Sequence, residues 1–331
     1  MPAYGRPPAY AQPVLRILDA RTGQPVPAAP ARRGLTRIEA RASGLDPTAL
    51  RVLLTADLLV RALELGGTPV WTILTAPHRH AELRAAATTL SIRPFEDGHD
   101  LASGLGEAQA IHVTAEGTDV PGGGPVVRVA PVEWTGELSE GRGAGWSSAG
   151  DVDTSPGAAG SPGGTAEPGV PGQAEPASES APGRASESAP GRTSEPAFRP
   201  VPGRTSEPAA HPALPALLAD PAALRLALLA VPRGAPVRLD AAALEEAAGW
   251  LAGRRRDVAG WARQPSRPVP DEVRARLRSA WEDDLDLPAV LEVLRAVASA
   301  PGLSDGARFE TYVYADRLLA LDLARDLGSL A

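Results

Sequence analysis

A chain of 331 residues with a formal net charge of −7 is long enough for two folded domains, and its acidic balance argues against a general nucleic-acid binder, which needs a basic surface. The sequence contains no Cys, Lys or Asn, which excludes disulfides, thiolate nucleophiles, cysteine-held metals and lysine chemistry and leaves arginine as the only fixed positive charge. Met1 to Tyr10 lacks the apolar core of a signal peptide, and no apolar run approaches the roughly 18–20 residues that span a bilayer, so a soluble, cytoplasmic protein with no membrane partner is expected.

After a flexible tail over 1–13, residues 14–135 read as alternating strands and helices. Val14 to Leu18 alternates weakly and ends in a turn, and Leu35 to Ala40 is a second strand. Asp46 to Leu65 is the clearest helix: Asp46 is an N-cap, Pro47 suits the first turn and Gly66-Gly67 stops it. Its apolar residues at 50, 53, 54, 58 and 62 form a stripe that needs a sheet to cover it. Val70 to Leu74 is a buried strand, so strand, helix and strand make a right-handed parallel unit. Glu82 to Thr89 is a short helix, and Ala110 to Thr114 and Val126 to Val129 are two further strands. Gly122-Gly-Gly124 precedes a proline and a strand, which favours a hairpin turn over a phosphate cradle.

Residues 136–212 change character, with almost no large aliphatics and an imperfect repeat that includes Ser178-Glu-Ser-Ala-Pro-Gly-Arg and Ser186-Glu-Ser-Ala-Pro-Gly-Arg. Too little apolar area is present to offset the entropy of ordering, so a disordered linker is expected. Residues 213–331 then read as a helical domain: 221–230, 240–261, 271–284, 287–298 and 305–327, with Asp240 as an N-cap and Pro288 in a first turn.

Several stretches resemble the cysteinyl-tRNA synthetases and their relative, the cysteine ligase of mycothiol synthesis. They are Val14 to Thr22, Leu54 to Gly67, Arg84 to Thr88, Asp220 to Leu229, Trp281 to Ala289 and Leu319-Ala-Leu-Asp-Leu323, where the family closes with Leu-Gly-Leu-Asp-Leu. The resemblance implies a fold of α/β plus all-α type: a reduced Rossmann-like class I synthetase domain, the linker, and a C-terminal helical bundle. It also implies ATP and zinc as cofactors, held by the HIGH motif, the KMSKS loop and a zinc-binding Cys. Aligned on the matching helix, HIGH falls on Asp46, Pro47, Thr48 and Ala49, so the nucleotide position is degenerate. An aspartate there stabilises a bare helix but repels phosphate. With no Lys the KMSKS loop cannot take its usual form, and with no Cys the zinc ligand is missing. The expectation is therefore a family member inactive as a ligase, with no catalytic residue, no metal and no retained cofactor, acting as a scaffold for a protein partner. A residual ligase or nucleotide binder and a tRNA-binding module are the alternatives.

Other candidate residues carry plainer readings. His78 and His80 are expected to be surface or loop histidines, and Asp97, His99 and Asp100 a solvated acidic turn. Asp283, Asp284 and Asp286 look like a Mg²⁺ cluster but are expected to cap and orient a helix. Arg254, Arg255, Arg256, Arg274 and Arg278 are the candidate RNA contacts, set against a solvated helical face. From Leu214 onward 15 Arg face 17 Asp plus Glu, so any basic patch is local.

Overall fold

Asp46 and Gly66 bound the first helix as their chemistry requires. In the computed structural model, α1 (Pro47–Leu65) starts where the extended Asp46 accepts the N–H of Ala49 on its carboxylate, and stops at Gly66. The structure describes residues 15–29, 35–97, 107–136 and 209–329. The expected tail, most of the expected linker with its repeats, His99, Asp100 and the side chain of Asp97 lie outside the described residues.

Fifteen of the nineteen residues of α1 are buried, so the sheet expected to cover one stripe is only half of its surroundings. That sheet has five strands in the order β5 (Glu96–Asp97), β4 (Val70–Thr75), β3 (Leu35–Arg41), β6 (Glu107–Ala115) and β7 (Val126–Val129), all parallel. Register pairs Ile38 with Ile111 and Ala40 with Val113 and Leu74, which sets an apolar face; the next residues, Glu39 and His112, pair on the polar face. Helix α2 (His80–Thr89) connects β4 to β5.

Strand 7 corrects one expectation. Gly122-Gly-Gly124 does not turn a hairpin, because β6 and β7 run parallel, with His112 opposite Val126 and Ala115 opposite Val129. The glycine signal marks a tight bend without stating which way the chain leaves it. Gly124 has φ +97°, and a Cβ there would lie 2.2 Å from the Ala110 carbonyl oxygen, so close backbone approach requires glycine. A hairpin does form elsewhere: β1 (Arg16–Asp19) pairs antiparallel with β2 (Gln24–Pro27), a segment whose two prolines hid it as a strand. The Asp19 carboxylate closes the turn by accepting from the N–H of Arg21 and Val126 and from the Thr22 hydroxyl.

The other side of α1 is covered by chain that follows residue 209. Strand β8 (Val132–Trp134) pairs in parallel with β9 (Val237–Leu239), a sheet not foreseen in the sequence. Helices α3 (Leu214–Leu217), α4 (Pro221–Leu229), α5 (Ala241–Trp261), α6 (Asp271–Glu282), α7 (Leu287–Ser299) and α8 (Asp305–Leu319) follow, and one apolar core runs through both stretches. None of the helices among the described residues is long and apolar enough to cross a membrane.

Two buried arginines join these parts. Arg51 of α1 donates to the carbonyl oxygens of Ala130, Ala235, Val231 and Pro232 at 2.7–3.2 Å. Burial and the nearby Arg233 bring its pKa down to about 10, which leaves it charged at neutral pH. Arg225 of α4, 1 % exposed, donates to Asp57 of α1 at 2.9 Å and to the carbonyls of Leu319 and Leu90. Asp57 also accepts from Arg61 at 2.8 Å and from the N–H of Arg93.

Helix α8 ends eight residues earlier than the sequence pattern indicated. Asp316 takes the N–H groups of Leu321 and Leu323, so the chain leaves the helix with its apolar residues still buried. Burial raises the Asp316 carboxyl despite these two donors. The exit places Ala320 at φ +49°, a left-handed conformation that disfavours any residue with a Cβ.

Two stability measurements follow. Asp57→Ala strands two cations against the core and is expected to cost about 3–5 kcal/mol in urea unfolding, while the paired change Asp57→Leu with Arg225→Met costs less than the single change. A loss below about 1 kcal/mol for Asp57→Ala would show that the pair does not hold α1 to α4. Ala320→Gly relieves the left-handed strain and is expected to stabilise by about 0.5–1 kcal/mol, read as a higher midpoint.

Candidate functional site

In a parallel sheet of this order the connections from β3 and β6 leave in opposite directions, and the crevice at their carboxyl ends is where such sheets take ligands. Residues 42–46 lead from β3 across that crevice into α1. The amino end of the helix faces protein groups. Pro47 has no N–H, the Ala49 N–H is held at 2.9 Å by the Asp46 carboxylate, and both Pro47 and Ala49 are buried. The Thr48 hydroxyl accepts from the N–H of Val132, and the Leu45 carbonyl accepts from the N–H of His211. Of the four positions expected at the degenerate nucleotide site, Asp46 places a negative charge where an incoming phosphate would need N–H donors.

Below the crevice, on the polar face of the sheet, lies a buried cluster that sequence reading missed. The Glu39 carboxylate accepts from the Thr75 hydroxyl at 2.8 Å, lies 2.6 Å from Arg41 and is 3.1 Å from Nδ1 of His112. His112 is 3 % exposed, and its Nε2 sits 3.0 Å from the carbonyl oxygen of Gly123. Thr114, fully buried two residues further along β6, has no hydrogen-bond partner for its hydroxyl among the described residues. Burial alone would raise the Glu39 carboxyl, but His112, Thr75 and the Arg41 charge outweigh it and hold it down to about 2. The arrangement fixes a carboxylate and an imidazole but aims neither outward, since both ring nitrogens face protein oxygens. Through the Nε2 contact it holds the 122–124 bend against the sheet. The period-two alternation of Arg37, Glu39 and Arg41 was the sequence signal for a polar sheet face.

The candidate RNA contacts are divided by the fold. Arg254 pairs with Asp257 at 2.9 Å, Arg256 donates to the carbonyl of Ala252, and Arg255 donates to the carbonyls of Leu321 and Asp322. Arg274 pairs with Asp271, and Arg278 pairs with Glu282 at 2.9 Å, on the wall of a different groove of about 460 Å³ that also includes Arg16. Four of the five therefore have local oxygen partners on their own helix, and the remaining one, Arg255, is tied to the chain after α8.

The carboxylates at 283–286 act on the backbone. Asp286 caps α7 through the N–H of Ala289, and Asp284 accepts from the N–H of Leu18 at 2.7 Å and pairs with Arg233. Among the described residues no three His, Asp or Glu side chains converge on a point that could hold a metal ion. His78 is partly exposed, and His80 begins α2. No protein-family model matches the chain, and no curated protein matches it.

The low Glu39 value sets a direction for acid unfolding. A carboxyl held at about 2 in the fold, against an ordinary 4.5, contributes stability that is fully present above pH 4.5 and lost as pH falls towards 2. The expected contribution is on the order of 3 kcal/mol. Urea midpoints measured across that window should fall less steeply for Glu39→Gln than for the unaltered chain; equal slopes would remove Glu39 from the account.

Proposed function

We propose that this chain is a degenerate class I aminoacyl-tRNA synthetase-like protein of the cysteinyl type, inactive as a ligase and retained as an interaction or regulatory scaffold. The observation that carries the reading is the amino end of α1. It stands at the crossover of a parallel sheet, where a Rossmann-like nucleotide site belongs, yet its first turn is closed by the carboxylate of Asp46.

Further support comes from places where the resembling motifs meet a structural demand. The Leu319–Leu323 stretch puts Ala320, at φ +49°, where the family carries glycine, the residue that this conformation favours. Asp286 and Pro288 stand at the first turn of α7, so the acidic signature works as a helix start. Strand β3, helix α1 and strand β4 follow one another as the family's first unit does, and the later helices would correspond to its helical bundle.

The residues at the family's cofactor positions do not fit ATP or zinc. Asp46 opposes phosphate, no lysine exists to grip it, and no cysteine exists to hold zinc. A tRNA-binding role through Arg254, Arg255, Arg256, Arg274 and Arg278 gains nothing from a geometry in which carboxylates already neutralise three of them.

Cysteine-dependent exchange between ATP and pyrophosphate tests the proposal directly. The expected result is no exchange above a control without protein, together with no ATP-induced rise in melting temperature. Turnover above the control would overturn the inactive reading.

A further inference from the structure

We propose that the outer edge of β9 and the apolar groove beside it form a docking site for an extended, basic segment of a protein partner, taken up as a third strand of the β8–β9 sheet. The inference rests on the scaffold reading and gives it a surface. Its test uses neither ATP nor cysteine, so the two can fail separately.

The backbone is the first argument. Val237 donates its N–H to the Pro131 carbonyl at 2.9 Å and the Leu239 carbonyl accepts from Thr135 at 2.8 Å, so both residues turn their backbone toward β8. Backbone direction alternates along a strand, which turns the N–H and C=O of Arg238 outward, and neither has a partner among the described residues. Other edges of the fold are closed. Val126, on the outer side of β7, donates its N–H to Asp19 and accepts from Ala20. Leu18 of β1 donates its N–H to Asp284, and β2 carries Pro25 and Pro27. The edge at Arg238 has no such guard, and an unguarded edge adds an extended chain through main-chain hydrogen bonds.

The groove gives the added strand its side-chain preference. Leu226, Val231, Val237, Leu239, Ala247 and Trp250 line a depression of about 240 Å³ that Arg238 borders. In a segment paired at Arg238, the residues on either side of the paired one lie on the face of Val237 and Leu239, where this groove is. Apolar residues at alternate positions therefore fit. Charge selects what lies between and beyond them. Of the cations on the wall, Arg238 is 3.4 Å from Glu133 and Arg295 pairs with Glu292, so each is already answered. Arg51 lies behind the wall, engaged by four carbonyls, and does not line the groove. Asp240, at the end of β9, offsets the start of α5 by accepting from the Ala243 N–H. Glu246 remains, exposed and without an ion pair among the described residues, four positions before Trp250 on one face of α5. A basic side chain flanking the apolar positions answers it.

The test is fluorescence anisotropy of the labelled peptide Lys-Leu-Thr-Leu-Lys, blocked at its carboxyl end, titrated with the full chain. Binding is expected with a dissociation constant of about 100 μM or below. Methylating the backbone nitrogen of the central Thr, which removes the donor for the Arg238 carbonyl, should weaken it at least about tenfold. The peptide Glu-Leu-Thr-Leu-Glu should bind about tenfold more weakly, and Glu246→Lys should reverse the order of the two peptides, while Glu245→Lys, one residue along and outside the groove, keeps it. Ala230→Phe, at an exposed position on the groove wall, should abolish binding and leave the melting temperature unchanged. No binding at about 5 mM, equal affinity for the methylated peptide, or an unchanged peptide order in Glu246→Lys would each overturn the proposal. So would a dimer, seen by light scattering, that Ala230→Phe dissolves, since a second copy would then be the occupant.

Discussion

Everything in this fold is arranged around a carboxylate in the middle of a buried helix. Asp57 cannot be taken out of water without partners, and Arg225 and Arg61 supply them while the backbone N–H of Arg93 takes up its other oxygen. Because Arg225 also reaches the last carbonyls of α8 and of the turn after α2, one charge pair fixes four elements at once. Hydrophobic packing would bring α1, α4 and α8 together in many relative rotations; a bidirectional, geometrically demanding pair selects one. Arg51 repeats the device a turn and a half earlier, with four carbonyls in place of a carboxylate.

The elements that sequence reading located are those whose signals are local. Asp46, Pro47 and Gly66-Gly67 mark both ends of α1, and Asp240, Asp286 and Pro288 mark the starts of α5 and α7, because capping is settled within four residues. What escaped was decided at a distance. Two prolines hid β2, whose strand character comes from its pairing with β1. Strands β8 and β9 are three residues each, too short to show a period, and become strands only by meeting each other. The direction of β7 depends on which side of β6 it joins, a choice that Gly122-Gly-Gly124 permits but does not make.

The buried polar residues show the same division. Arg51 and Arg225 sit inside apolar helical runs, and that misfit was visible, but only the fold names their partners at positions 130, 57 and 319. Glu39 and His112 lie about seventy residues apart and meet through the β3–β6 register. Conversely, the arginines that look like one basic cluster in the sequence are dispersed by helix geometry, some toward the end of α8 and some toward the start of β1. Linear proximity of like charges says little about a surface until the helices have been placed.

The pairing of β8 with β9 brings together positions separated by roughly a hundred residues, and the hydrogen bond from His211 to Leu45 fixes the returning chain near the start of α1. Each half of this closure is made by backbone pairing between distant positions, so a substitution on either partner acts on a contact whose other side lies far along the chain. Order at the start of α1 is therefore a property of the closed unit and not of the segment 42–65 alone, and truncation before β9 would be felt at a helix that such a truncation leaves intact in sequence.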